Sequence, residues 1–290
     1  MTIRHQLAGH LKELSPGFEV RRLLPAATQR SVGPFVFFDH FGPVTAQPGD
    51  NHDVRPHPHI GLATVTYLLE GAMVHRDSLG MVQRIEPGAV NWMTAGAGIV
   101  HSERTPPELV ERERRSHGLQ LWVALPLEAE EVEPSFQHVA AADIPVWKDG
   151  ATSIRVLVGS FDGLRSPVST FAPTQYLDVT SKGGRFTLPA DFGDGPAERA
   201  IYAFDAGLEV DSEPVQRERL AVLEPGADVV VSGKARYVVV GGAPLDGPRH
   251  MWWNFVSSSR ERIESAKRAW AGQSMGTIPG ETEWIPLPDR

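Results

Sequence analysis

Two short runs carry the residues best suited to chemistry. In Pro56-His57-Pro58-His59 two imidazoles are spaced by one residue, and in Gly96-Ala97-Gly98-Ile99-Val100-His101-Ser102-Glu103 an imidazole and a carboxylate share that spacing. In an extended segment residues i and i+2 point to the same side, so each run can present two donor groups to one point, with Pro58 stiffening the first. Three neutral nitrogens and one carboxylate suit an octahedral divalent metal such as Fe(II), Mn(II), Ni(II) or Cu(II), and leave positions open for a ligand to bind and be activated. The chain has no cysteine, which excludes thiolate nucleophiles, iron–sulfur clusters, disulfides and cysteine zinc sites, so any metal rests on His, Asp and Glu.

The elements that must hold these residues read as strands. Pro34 to Phe38, Thr64 to Leu69, Gly118 to Leu125, Ile154 to Val158, Val229 to Val231 and Arg236 to Val240 are short apolar runs bounded by turn residues, the pattern of a β-sandwich or barrel. One helix is expected near the end, over about 258–271. Ser258 with Glu261 forms a capping box there, and Ile263, Ala266 and Trp270 fall on one face.

The halves carry an internal repeat. Glu86-Pro87-Gly88-Ala89 matches Glu224-Pro225-Gly226-Ala227, and Tyr67-Leu68-Leu69-Glu70-Gly71 resembles Tyr202-Ala203-Phe204-Asp205-Ala206-Gly207. Two copies of one β-barrel explain this, with the boundary between Phe136 and Asp149, giving domains of 1–140 and 141–290. The Tyr match projects His57 and His59 onto Phe192 and Asp194, and the Glu-Pro-Gly match projects His101 and Glu103 onto Val239 and Gly241. The second copy has no ligands, so one metal per chain is expected, in the first half.

At 290 residues and 41% hydrophobic content the chain can bury a sizeable core without staples. Its formal charge of −8, from 28 basic and 36 acidic side chains, argues against direct nucleic-acid binding. The run Met1-Thr2-Ile3-Arg4-His5-Gln6 is no secretion signal, and no apolar stretch approaches the roughly 18 residues that span a bilayer. A soluble, cytoplasmic monomer with no membrane partner is the expectation.

Five runs together resemble the pirins of the cupin superfamily: Phe37-Phe38-Asp39-His40-Phe41-Gly42-Pro43, His57 to Tyr67, His75-Arg76-Asp77-Ser78, Gly96 to Glu103, and Gly118 to Val123. The resemblance implies an all-β bicupin, two antiparallel cupin barrels, here followed by a C-terminal helix. It implies a mononuclear metal in the N-terminal barrel, held by three His and one Glu, which fall on His57, His59, His101 and Glu103. The cofactor expected is one divalent transition metal, Fe(II) first, with Mn, Ni, Cu and Zn as alternatives. Some family members are quercetinases, so the activity implied is quercetin 2,3-dioxygenase, an oxidoreductase cleaving a flavonol-like aromatic with O2, with Glu103 as catalytic base. The alternative implied is a non-enzymatic, iron-dependent, redox-sensing regulator that binds a protein partner. One departure stands out, since the general cupin pattern has Glu four residues after the second His and this chain has Ala63 there.

The remaining candidates read as structural. Asp39-His40 and Arg76-Asp77 could orient ligands, but hydrogen bonds or ion pairs of the framework explain them better. Trp92, Met93, Phe37 and Phe41 read as core, and His5, His10, His52, His117, His138 and His250 as surface or satisfied histidines. Glu111 to Arg115 reads as a solvated face.

Overall fold

The computed structural model describes residues 2–15, 17–192 and 197–289. The strands are β1 (Ile3–Leu7), β2 (His10–Ser15), β3 (Phe18–Leu24), β4 (Phe35–Ala46), β5 (Val54–His59), β6 (Leu62–Glu70), β7 (Met73–Asp77), β8 (Val82–Ile85), β9 (Val90–Thr94), β10 (Ile99–Arg104), β11 (Arg114–Ala124) and β12 (Ser135–Val139). The second half adds β13 (Val146–Asp149), β14 (Thr152–Val158), β15 (Ser160–Phe161), β16 (Leu164–Arg165), β17 (Thr174–Leu188), β18 (Glu198–Ala203), β19 (Leu208–Val210), β20 (Glu213–Val215), β21 (Leu220–Leu223), β22 (Val229–Gly242), β23 (His250–Trp252) and β24 (Phe255–Ser257), then helix α1 (Arg260–Ala271). The fold is all-β apart from this helix and two short 3-10 turns. Among the described residues no helix is long and apolar enough to cross a membrane.

Two compact units are present, and they interleave along the chain. One contains residues up to His10, Arg21–Phe38 and Ala142–Leu245; the other, which carries the histidine pairs, contains Leu11–Val20, Asp39–Ala141 and everything from Asp246 onward. The C-terminal helix, with β23 and β24, therefore belongs with the histidine-bearing residues rather than with β13 to β22.

Each unit repeats one strand order. Beside the histidines, β9, β6, β11 and β4 are neighbours in one sheet, and β5, β10, β7 and β8 form a second. The other unit has β21, β18, β22 and β17 in the first arrangement, while β17, β22, β19 and β20 reproduce the second. Long β17 stands for β4 and β5 together, and long β22 for β10 and β11, joining the two apolar runs read as separate strands at Val229 and Arg236. Tyr67 on β6 and Tyr202 on β18 are counterparts, both fully buried.

The Glu-Pro-Gly match is corrected by this order. Glu86-Pro87-Gly88 precedes β9, but Glu224-Pro225-Gly226 follows β21, the counterpart of β9, so the two turns are not equivalent. The projections onto Val239 and Gly241 fall with it; Phe192, projected from the Tyr match, lies past the end of β17 because the segment between β17 and β18 is longer than that between β5 and β6, and Asp194 lies outside the described residues. The ladder that sets His57 opposite His101 corresponds instead to Phe186 through Leu188 against Val229 through Val231. Phe186, Leu188, Val229 and Val231 belong to that unit's hydrophobic core. Valine, leucine and phenylalanine fill the place where the other unit gathers imidazoles.

The helix forms where its apolar spacing required, with a shifted cap. Ser259, not Ser258, is the N-cap and accepts from the Arg262 N–H, while the Ser258 hydroxyl donates to Glu130 Oε2 at 2.7 Å. Ile263, Ala266 and Trp270 pack with Phe255, Ile278, Ile60 and Val100, the last two being direct neighbours of His59 and His101. The close fit between Gly61 and the segment before the helix tolerates no side chain. A Cβ at Gly61 would lie 2.0 Å from the Val256 carbonyl oxygen, and φ is +68°. Gly61→Ala should lower stability by on the order of 3 kcal/mol, seen as a depressed melting temperature. Gly49→Ala, at φ +85° with no atom nearby, should cost only about 1 kcal/mol from backbone strain.

Candidate metal centre

Strand alternation puts His57 and His59 on one face of β5, and the antiparallel ladder sets His101 of β10 opposite His57. Ring centroids lie 4.3 Å apart for His57 and His101, 5.0 Å for His59 and His101, and 5.1 Å for His57 and His59. One nitrogen from each ring lies within 4.8 Å of the other two, and all three side chains are buried.

The hydrogen bonds define the tautomers. His57 Nδ1 meets the Arg55 carbonyl at 2.9 Å and His59 Nδ1 meets the Asn254 carbonyl at 3.2 Å. A carbonyl only accepts, so both rings carry their proton on Nδ1 and leave the Nε2 lone pair free. His101 Nδ1 lies 3.4 Å from His75 Nδ1, and His75 Nε2 lies 2.9 Å from Asp77 Oδ2. The second Asp77 oxygen accepts from the Leu79 and Met81 amides at 2.9 and 3.0 Å. A consistent chain follows, in which His101 donates to His75 and His75 to Asp77, while His101 Nε2 stays buried without a partner. A buried nitrogen lone pair with nothing to accept is costly; a divalent cation among the three Nε2 atoms satisfies all of them, so these residues fit a metal.

Electrostatics prepare the rings for that task. Burial pushes the His57 pKa down to about 4, and burial reinforced by neighbouring histidines pushes His59 and His101 well below the usual value. All three are neutral at pH 7, the form a metal needs. Glu103 is two residues beyond His101, across a bulge in the β5–β10 ladder and opposite His75 in the β7–β10 ladder. It is not one of the three residues whose ligand atoms cluster. It is half-buried by area, yet desolvation of its carboxyl raises the pKa to about 7.

Aromatic rings wall the cluster. Trp122 sets its edge against His59 at 5.1 Å, and Phe136 stacks on His75 at 4.4 Å. The register also relocates the position where cupins carry an acid. Ala63 pairs with Thr94 and Val123, whereas Thr64 pairs with Met93 and Trp122 and so shares the face that meets His59. Thr64, rather than Ala63, is the residue turned toward the histidines.

The C-terminal segment holds the ligand strands from behind. The Ile285 amide donates to the Pro56 carbonyl at 2.8 Å and the Val256 amide to the Ile60 carbonyl at 3.2 Å. Ser102, between His101 and Glu103, donates to Glu281 Oε1 at 2.5 Å, and Arg104 is ion-paired with Glu281. The β23–β24 turn that brings the Asn254 carbonyl to His59 has Trp253 at φ +51°, an unusual conformation for a bulky residue.

Of the four residues expected as ligands the structure gathers His57, His59 and His101 and leaves Glu103 outside the cluster, and their supports carry a signal of their own. His75 and Asp77 have the same i, i+2 spacing as the ligands, but Asp77 was assigned to the framework; it serves His75, and through it His101. Three other candidates stay structural: His40 Nε2 lies 2.8 Å from His117 Nε2, Phe41 packs with Phe18 and Leu68, and Trp92 is buried.

Removing the charge at the end of the relay, in Asp77→Asn, should weaken metal affinity by about 10–100-fold in chelator competition, with the ligands themselves intact. Acid should destabilise the metal-free protein. The unfolded histidines take up protons as pH falls below 6.5 while the folded ones refuse them, so stability is lost between pH 6.5 and 4, by about 3 kcal/mol for His57 alone. Glu103 acts oppositely, since its folded pKa is the higher one, so melting curves of Glu103→Gln should show a steeper acid loss.

With the geometry established, the likenesses to known proteins are informative. The family model described as Pirin matches residues 17–123, and that of the Pirin C-terminal cupin domain matches residues 176–276. A pirin-like protein of Caulobacter vibrioides is 46% identical over 279 residues, covering 94% of this chain and 95% of its own. The crystal structure of a quercetin 2,3-dioxygenase from Acinetobacter baumannii superposes with a TM-score of 0.89 at 32% identity, covering 100% of this chain and 97% of that one. The bacterial pirin YhhW from Escherichia coli, solved in complex with nickel(II), shares the fold with a TM-score of 0.64 at 15% identity, over 82% of this chain and 96% of its own. Matched in both halves and over nearly its whole length, the chain belongs to the pirin family and has its bicupin fold.

Proposed function

We propose that this protein is a metal-dependent dioxygenase that opens the heterocyclic ring of a flavonol with O2 and releases carbon monoxide, with one iron held by His57, His59, His101 and Glu103. The observation that carries the reading is the buried His101 Nε2 without a partner, in a cluster where His57, His59 and His101 each bring a ring nitrogen within 4.8 Å of the other two. When bound, the metal supplies Lewis acidity toward the substrate hydroxyl and electron exchange with O2. His57, His59 and His101 bind it as neutral ligands. Glu103, whose pKa burial raises to about 7 in the metal-free protein, takes the proton from the substrate hydroxyl at its carboxylate oxygen. Trp122 and Phe136 supply flat apolar walls that exclude water and stack on an aromatic ring. The likeness to the Acinetobacter enzyme supports the substrate class, and nickel in YhhW makes the native metal a matter for measurement.

A second reading is favoured by a different observation. Asp77, which ends the relay from His101, also holds the turn bearing Leu79 and Met81, exposed by 51% and 38%. A change of metal charge could act through that relay on an apolar partner surface, making the protein a regulator. Metal analysis coupled to aerobic quercetin turnover separates the two. The purified protein should contain one metal per chain and consume quercetin with release of carbon monoxide, and His101→Ala should lose metal and turnover together. Turnover surviving metal removal would overturn the dioxygenase reading, and a metal-loaded protein without turnover would favour the regulator.

A further inference from the structure

Three ladders of the histidine-bearing unit keep one register across the sheet that faces the metal cluster, the shift in the β6–β11 pair lying farther along, between His117 and Gly118. They align Thr64, Trp122, Met93 and Phe136 in one transverse row, and Thr66, Gln120, Asn91 and His138 in the next. Residues two apart on a strand share a face. Trp122 against His59 and Phe136 against His75 define that face as the one turned toward the cluster, so the second row is turned inward too. One step further, Leu68 packs with Phe18, Val20, Phe41 and Ile85, and the face is apolar again.

A wholly polar row between a metal-facing row and an apolar cluster needs a reason, because buried polar groups cost free energy unless paired. The pairing is incomplete. Thr66 donates to Gln120 Oε1 at 2.8 Å, and His138 Nδ1 lies 2.7 Å from Asn91 Oδ1. Asn91 is 2% exposed and its Nδ2 has no partner. Turning the amide over would leave Oδ1 without one instead, so one amide atom is free in either orientation. At the far end of the row His138, on strand β12, is exposed, which opens the row to incoming ligand.

We propose that Thr66, Gln120, Asn91 and His138 form a hydroxyl-recognition subsite that binds the phenolic oxygens of an aromatic substrate at the end remote from the metal. The inference rests on the flavonol reading of the metal centre and deepens it. The two rows are separated by about 7 Å, two strand residues, roughly the span of one aromatic ring with its substituents. A substrate whose hydroxyl lies at the histidines and whose body lies along Trp122 and Phe136 brings its far ring to the polar row. The Asn91 amide, the Gln120 amide nitrogen and the His138 ring then offer both donors and acceptors, as catechol-type hydroxyls require. Asn91, Gln120 and His138 are specificity-determining residues here, with no part in the chemical step.

The test is anaerobic equilibrium binding to metal-loaded protein, read by quenching of tryptophan fluorescence, with two probes. Quercetin carries two hydroxyls on its pendant ring, and galangin is the same flavonol without them. Wild type should bind quercetin at least tenfold more tightly. Gln120→Leu and His138→Phe should each lose about tenfold for quercetin, the worth of one hydrogen bond, while galangin affinity changes less than twofold. Metal content of both variants and the melting temperature of His138→Phe should match wild type, and Asn91→Asp should keep the fold while altering the ratio. Equal losses for both flavonols, or equal wild-type affinities, would overturn the subsite while leaving the flavonol reading standing. Failure of wild type to bind either flavonol would overturn that reading itself, and the subsite with it.

Discussion

Three imidazoles buried with their lone pairs directed at one another are the constraint around which the histidine-bearing unit is built. Each ring must be neutral, each must be held in one tautomer, and none can be relaxed by water. The protein meets these demands with three different acceptors for Nδ1: the Arg55 carbonyl within the same strand, the Asn254 carbonyl 195 residues away, and His75 backed by Asp77. Without such partners a ring would rotate or switch tautomer, and the Nε2 atoms would not converge. The apolar wall of Trp122 and Phe136 and the helix cluster behind Ile60 and Val100 complete the enclosure. The low pKa values of the histidines follow from that enclosure and in turn keep the ligands ready for a cation.

Comparison of the two units shows what the constraint costs the backbone. Where no metal is needed, β17 and β22 run on as strands of 15 and 14 residues, and the corresponding interior is valine, leucine and phenylalanine. Beside the histidines the same path is broken twice, between β4 and β5 and between β10 and β11. Prolines flank His57, and a bulge separates His101 from Glu103. Broken strands leave ends that need other partners, and the C-terminal segment supplies them through Val256, Glu281 and Ile285. This gives a physical reason for the helix and its flanks to belong with residues far earlier in the chain.

The histidine pairs were legible because strand periodicity is exact enough to convert spacing into direction. The same spacing in His75 and Asp77 carries the relay, but adjacent Arg76 offers the aspartate an equally good partner, so the sequence alone does not single out the histidine. The helix face was legible from Ile263, Ala266 and Trp270, but the cap moved by one residue because Glu130, distant in sequence, binds Ser258. The Glu-Pro-Gly match misled because a proline–glycine turn says only that the chain reverses, not which strands it joins. The Asn254 carbonyl was invisible in principle, since a main-chain oxygen carries no residue signature and its position depends on the strained turn at Trp253.

Thr64 bears on how the centre would choose what it binds. A carboxylate at that inward position would add a second negative charge to the one Glu103 brings in the proposed site, and the two would cancel a divalent ion. With threonine there, a divalent ion with three neutral imidazoles and one carboxylate keeps a net charge of +1, which favours an oxyanion over a neutral ligand. The high pKa of Glu103 belongs to the same balance, because burial without a nearby cation penalises its charged form, and a cation would pull that pKa down. Metal binding and ionisation of Glu103 therefore support each other. In the proposed reaction, transfer of the substrate proton to Glu103 exchanges one anion for another near the metal, keeping the charge of the enclosed site constant as the flavonol is activated.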